Sequence, residues 1–329
     1  MTPGTTCVAG ATGYLGRRVV AELRARARPV VAILKDRSCA ADQAALVSQG
    51  AALAFVDASR REDYADALAG AEVAISCMAS AGAHVDAKDD FWAIDRDANI
   101  RFGGAAVRAG VRHIVLVATF EGRASRRVSA FSDAKECAVD AIGAACRQAG
   151  VAFTVIRPTA YFSDLTDRAF DTVLNRDRHT VIGDGSHRIN PVAGNDVATF
   201  LVDCIDDPVR AGREHPVGGP DIFSFREIGL LAAEVLGKSK PPRIHSIPVW
   251  GLQLVAALIS VVGQVSRGSR RSAAMLRWMI YSGTHDAIAP ACGALRLRDE
   301  YCAKRDALPP PRGDGLSRFR PCSRRRVAD

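Results

Sequence analysis

Thr5-Thr6-Cys7-Val8-Ala9-Gly10-Ala11-Thr12-Gly13-Tyr14-Leu15-Gly16 opens a segment in which Leu15, Val19, Val20, Leu23 and Ala27 recur at helical spacing. Residues 5–9 are short, β-branched and apolar, which predicts a strand buried on both faces of a parallel sheet. Gly10, Gly13 and Gly16 then mark a turn, and strand, glycine turn and helix together give a glycine pattern its meaning. A missing Cβ lets the chain turn sharply, lets backbone approach a pyrophosphate, and lets the helix pack close to the strand. The helix start adds free N–H groups and a partial positive charge. The spacing is GxxGxxG, neither GxGxxG nor a Walker loop with its Gly-Lys-Ser/Thr. A tight βα turn without a ligand is the plain alternative. The flanking strand and helix favour nucleotide binding by Gly10, Thr12, Gly13, Tyr14, Leu15 and Gly16.

A chain of 329 residues can bury a large core, in one domain or two. With 48% hydrophobic and 24% charged residues it reads as soluble and globular. No arginine-led apolar leader opens it. Nine cysteines show neither CxxC nor a Cys/His metal spacing, so no metal is expected. Cys7, Cys77 and Cys204 lie in apolar runs as small core residues, and a reducing cytoplasm is the expected compartment. Of the net charge of +8, residues 296–329 contribute ten Arg/Lys against five Asp/Glu. The stretch 309–329, from Pro309-Pro310-Pro311 to Arg324-Arg325-Arg326, reads as a basic, disordered tail. The body itself gives no argument for specific nucleic-acid binding.

Further strands are expected at 29–34, 51–56, 72–78, 113–119 and 152–157, the last stopped by Pro158, with helices over 63–68, 89–110 and 133–150. Alternating strands and helices predict an α/β fold, a doubly wound parallel sheet with right-handed crossovers. Lys35-Asp36-Arg37 follows the second strand, where an acid would hold the ribose if the cofactor were NAD. Lys35 and Arg37 suit a 2′-phosphate and favour NADP, while Asp36 pulls the other way. Asp57 and residues 77–80, just past strand ends, are candidates for the adenine side. A helix N-cap is an equally open reading of Asp57.

Gly10–Gly16, Trp92-Ala93-Ile94-Asp95 with Asn99, Ala109-Gly110-Val111-Arg112-His113, Ala134-Lys135-Glu136 and Arg157-Pro158-Thr159 resemble the atypical, extended short-chain dehydrogenase/reductases. Gly183-Asp184-Gly185, Arg188-Ile189-Asn190-Pro191, Asn195-Asp196-Val197-Ala198 and the run Thr284–Pro290 fit the same group. The branch most similar contains divinyl chlorophyllide 8-vinyl reductases, with NmrA-like proteins as more distant cousins. The resemblance implies a Rossmann-type NADP domain over 1–160 and a smaller, interleaved substrate-binding region over 161–308. It also implies that the glycine loop with Lys35 and Arg37 holds NADPH, and that Lys135, Pro158 and Thr159 flank the nicotinamide side.

The departures bear on chemistry. Short-chain dehydrogenases use a Tyr-x-x-x-Lys on this helix and a Ser near the fifth strand. Here Lys135 is present, Phe131 stands in the tyrosine position, and Ala118 stands where the serine belongs, with Thr119 one step away. A phenyl ring cannot donate a proton, so the usual carbonyl mechanism is not available from these positions. One reading is a reductase acting on a conjugated C=C or vinyl group, whose own ring system delocalises charge. The other is an NADP-binding sensor without turnover, like NmrA-type regulators. Tyr161 is the candidate substitute proton donor, against a purely packing aromatic. For Lys135 the plain alternative is an exposed helix lysine.

In the second half, an amphipathic segment over 163–174 is expected to cover the site. A strand over 179–182 and a helix over 196–204, capped by Asn195 or started by Asp196, follow. Ser224 and Glu227 form a capping box. His187 and Arg188 sit in a polar turn, and Asp286 reads either as a substrate-side wall or as a cap. Residues 246–264 carry no charge and approach the length of a bilayer span, yet both flanks belong to a globular pattern. A buried or interface-lying helix is therefore expected over 247–264, a peripheral membrane contact or apolar docking surface if exposed.

Overall fold

The structure, a computed structural model, describes residues 4–35, 38–58, 63–80, 91–262 and 267–309. Arg37 and almost all of the basic tail lie outside the described residues. The strands are β1 Thr5–Ala9, β2 Val30–Leu34, β3 Ala52–Phe55, β4 Ala71–Ser76, β5 His113–Val117, β6 Ala152–Pro158, β7 Arg178–Ile182, β8 Arg188–Ile189, β9 Glu214–Val217, β10 Phe223–Ser224 and β11 Arg243–Ile247. The helices are α1 Tyr14–Ala25, α2 Ala40–Ser48, α3 Asn99–Arg108, α4 Gly122–Ser125, α5 Ala130–Ala149, α6 Asp167–Arg176, α7 Gly194–Asp206, α8 Phe225–Val235, α9 Val249–Val262, α10 Arg267–Gly283 and α11 Leu297–Asp306.

Seven strands form one sheet in the order β3-β2-β1-β4-β5-β6-β9, with every adjacent pair parallel. The order reverses between β1 and β4, and that reversal opens a crevice at the carboxyl ends of the strands. Successive residues of a strand serve opposite layers. Cys7 and Ala9 pack with Phe102, Ala106 and Ile142, whereas Val8 packs with Leu15, Val19 and Leu23. This is why the strands read as unbroken apolar runs.

The later half is woven into this core. β9 adds the seventh strand, and α7 lies along α1, with Leu201, Val202 and Ile205 in the same cluster as Val19, Val20 and Leu23. That approach is close because Gly194 has no side chain: a Cβ there would meet the Tyr14 ring at 2.6 Å. A separate cluster joins α6, α8 and α11 through Phe170, Ile228, Ala232 and Tyr301. β7 pairs parallel with β11, and β8 antiparallel with β10.

Four elements differ from the sequence reading: of the helix expected over 63–68 only a single tight turn, Asp66–Leu68, is formed. In place of one helix over 89–110, a wide π-type turn, Trp92–Ala98, precedes α3. The Asn99 amide donates to the carbonyls of Ile94 and Asp95, 3.1 Å each, and accepts from Ser76 Oγ at 2.6 Å, which stabilises the wider turn. The segment 163–174 likewise splits into a wide turn, Phe162–Thr166, and α6. α7 starts at Gly194, not Asp196, and its cap position is Ala193, not Asn195. The Asp196 carboxylate instead accepts from the Leu295 backbone N–H at 3.0 Å.

Candidate active site

The loops after β1 and β4 meet at the sheet's switch point. Gly10 has φ +76°, and a Cβ there would meet the Cys77 carbonyl carbon at 2.9 Å; on Gly16 it would meet the Gly10 oxygen at 2.1 Å. The Gly13 N–H donates to Gly10 O at 3.0 Å and closes the turn. Gly13 is also the cap of α1. No side chain caps it, and no acid stands in the first turn, so the helix N–H groups are left for an external anion. Thr12 lends its carbonyl to Arg17 Nη2 at 2.6 Å. The Leu15 side chain is buried in the core, so its part here is backbone. These features fit a dinucleotide pyrophosphate. Lys35 and Asp57 follow the adjacent ends of β2 and β3, both half-buried.

After β4 the chain is held by polar side chains from three other elements. Lys135 Nζ, on α5, lies 3.0 Å from Asp95 Oδ1 and 3.5 Å from the Met78 carbonyl oxygen. Both side chains are buried, so Lys135 is not an exposed helix lysine. The second Asp95 oxygen accepts from the Ser80 N–H at 3.2 Å and from the Ser80 hydroxyl. Arg271, on α10, donates to the Ser80 carbonyl at 2.7 Å. Asp95 and Arg271 were not singled out as site residues from sequence, and Ser80 was only as the last of residues 77–80. The detectable signal was Asp95 directly after Trp92-Ala93-Ile94, since an aspartate carried into a buried turn requires a cation.

Phe131 packs edge-on against Phe91 at 5.3 Å and Trp278 at 5.6 Å, so the place of the missing phenol is filled by aromatic surface. Ala118 is buried. The Thr119 and Ser132 hydroxyls, like the Tyr161 hydroxyl, find no hydrogen-bond partner among the described residues. The Tyr161 ring lies 5.2 Å from that of Tyr14, over which the Arg18 guanidinium stacks at 3.8 Å. Burial, with a smaller contribution from Cys77, pushes the Tyr161 phenol well above its ordinary range and keeps its proton in place. Burial likewise raises the Cys77 thiol to about 12 against the pull of Lys135, so it is not a nucleophile at neutral pH.

Pro158 ends β6, buried. The Thr159 hydroxyl donates to Asn190 O at 2.7 Å, which ties β6 to the later half. Asp286 accepts from the Arg188 N–H at 2.8 Å and faces His187 at 3.4 Å. Among the described residues no cluster of His, Cys, Asp and Glu could hold a metal.

The sequence profile of a family described as NAD(P)H-binding matches residues 10–208. A rice (Oryza sativa subsp. indica) protein named divinyl chlorophyllide a 8-vinyl-reductase, chloroplastic, is 30% identical over 275 residues, 80% of this chain and 66% of its own length. The chain thus spans slightly less than two thirds of that relative. Triphenylmethane reductase from Citrobacter sp., solved with NADP(H), superposes with a TM-score of 0.65 at 19% identity over 92% of this chain and 99% of its own. An NADPH-dependent quinone oxidoreductase from Escherichia coli gives 0.63 at 18% identity over 91% and 99%. A profile over more than half of the chain, set on the glycine cradle and the parallel sheet that carries it, makes this protein a member of the NAD(P)H-binding Rossmann family.

Proposed function

We propose that this chain is an NADPH-dependent reductase that delivers hydride to a conjugated C=C or vinyl group of a large apolar acceptor of the divinyl chlorophyllide type. Phe131 carries the reading: where a carbonyl reductase needs a phenol beside its lysine, this site presents buried aromatic surface with Phe91 and Trp278. The names of the rice relative and of the Citrobacter and E. coli neighbours, all reductases, support it. When bound, the nicotinamide supplies the hydride. The N-terminus of α1 receives the pyrophosphate, and Lys35 with Arg37 receives the 2′-phosphate that selects NADP. Asp57 lies on the adenine side, and Lys135, Pro158 and Thr159 flank the nicotinamide side. Asp95 fixes the Lys135 ammonium, and the Tyr161 hydroxyl holds the proton that the reduced acceptor takes up. Residues 161–308 supply the acceptor's pocket. The described cysteines are all free, which suits the reducing cytoplasm.

The experiment is NADPH oxidation against a panel of conjugated acceptors that includes divinyl chlorophyllide, with cofactor titration alongside. Tight NADP binding with no turnover on any acceptor would replace the reductase by a sensor. In Tyr161→Phe we expect kcat to fall by about a hundredfold with cofactor affinity kept. An unchanged kcat removes Tyr161 from the chemistry.

A further inference from the structure

The most apolar of the described helices contributes almost nothing to the core. α9 has no charged residue, yet none of its described side chains joins a hydrophobic cluster, and Ala256 alone of them is fully shielded. Trp250, Leu254, Leu258 and Val261 recur at helical spacing and form one stripe. They are 71%, 54%, 59% and 65% exposed, with Val255 beside them. Such a stripe on a folded chain marks a surface meant to be covered.

Charge says by what. Between Glu234 and Asp286 the sequence holds Lys238, Lys240, Arg243, Arg267, Arg270, Arg271 and Arg277 and no acid at all. Arg270 and Arg277 stand seven residues apart on one face of α10, exposed, and Arg277 reaches across to Ser260 Oγ of α9 at 3.0 Å. Lys240 and Arg243, also exposed, precede the apolar stripe. An apolar stripe with the exposed cations Lys240, Arg243, Arg270 and Arg277 about it matches acyl chains beneath anionic headgroups. A second copy is disfavoured, because a twofold contact through this face would set like charges together. Among the described residues no helix is long and apolar enough to cross a membrane, and the fourteen residues of α9 span roughly 21 Å against a hydrocarbon core of about 30 Å.

We propose that the hairpin of α9 and α10 docks this protein flat on an anionic lipid surface, with the stripe of Trp250, Leu254, Leu258 and Val261 in the acyl boundary. The inference does not depend on the reductase reading. The test is co-sedimentation of the full chain with vesicles of phosphatidylcholine plus phosphatidylglycerol, and of phosphatidylcholine alone. The expected result is binding to the anionic vesicles that added salt weakens. Leu254→Glu/Leu258→Glu should lower it at least about tenfold, and Arg270→Glu/Arg277→Glu should lower it too, both variants unfolding at the wild-type temperature. Absence of binding by the wild-type chain overturns the proposal. So does undiminished binding by the leucine variant, which would place the contact on the basic tail or another surface. Equally, a wild-type dimer that the leucine variant dissociates in sedimentation analysis would make a second copy the occupant.

Discussion

A methyl group on Gly16 would sit 2.1 Å from the Gly10 carbonyl oxygen, and that oxygen already closes the turn by accepting from Gly13. The two atoms cannot share the space, so Gly16→Ala must push α1 away from the loop. The expected outcome is a loss of NADPH affinity of at least about tenfold, read by titration, with thermal unfolding shifted down modestly. Lys135 is constrained in another way. Its ammonium and the Asp95 carboxylate are both out of water, and each makes the other tolerable. Asp95→Ala strands the cation and should cost about 3–5 kcal/mol in urea unfolding. Lys135→Met/Asp95→Leu removes both charges and should recover most of that loss. If the double variant is as unstable as the single one, the pair is not what holds this corner.

At the scale of elements, Ser224 shows how directly a local signal becomes structure. Its hydroxyl accepts from the Glu227 N–H at 3.2 Å while the Glu227 carboxylate accepts from the Ser224 N–H at 2.7 Å, which completes the expected capping box of α8. Ser224→Ala should lower stability by about 1 kcal/mol in urea unfolding. The parallel strands and the glycine cradle were legible for the same reason, since each rests on neighbours in sequence. The π-type turn before α3 was not, because it depends on Asn99 meeting Ser76 of β4 from 23 residues away. The polar group around Lys135 was half legible. The lysine could be read from its spacing to Phe131, but Asp95, Ser80 and Arg271 reach it only through the fold. For α9 the sequence announced an apolar helix and left open whether core or surface received it, because hydropathy does not say which side of a helix has a neighbour.

Across the whole molecule, the two halves are joined where β6 meets β9, and that junction is sensitive to acid. Arg157 bridges the buried Glu136 of α5 at 2.6 Å and Glu214 of β9 at 2.9 Å. Burial alone would raise the Glu214 carboxyl, but hydrogen bonds from Arg123 and Arg157 hold it below its ordinary value. Beneath the same junction His113 of β5 is fully buried, with Nε2 2.8 Å from the Thr154 hydroxyl of β6. Burial first, and the nearby Arg112 second, lower its pKa from 6.5 to about 4. Between those two values the unfolded chain takes up a proton at His113 that the folded chain refuses. Stability therefore falls as pH drops from 6.5 towards 4, and the histidine adds no further loss below that. Glu214 acts in the same direction at lower pH, where its ordinary carboxyl range begins. The acid limb of the stability curve should thus start near pH 6.5, well above the range of the carboxylates. At pH 5 the histidine's share is about 2 kcal/mol. Urea unfolding at pH 7 and pH 5 measures it: His113→Asn should lose less stability between the two than the wild-type chain does. Equal losses would mean that His113 is as free to charge in the folded protein as in the unfolded one, and that β5 is open to water at this point.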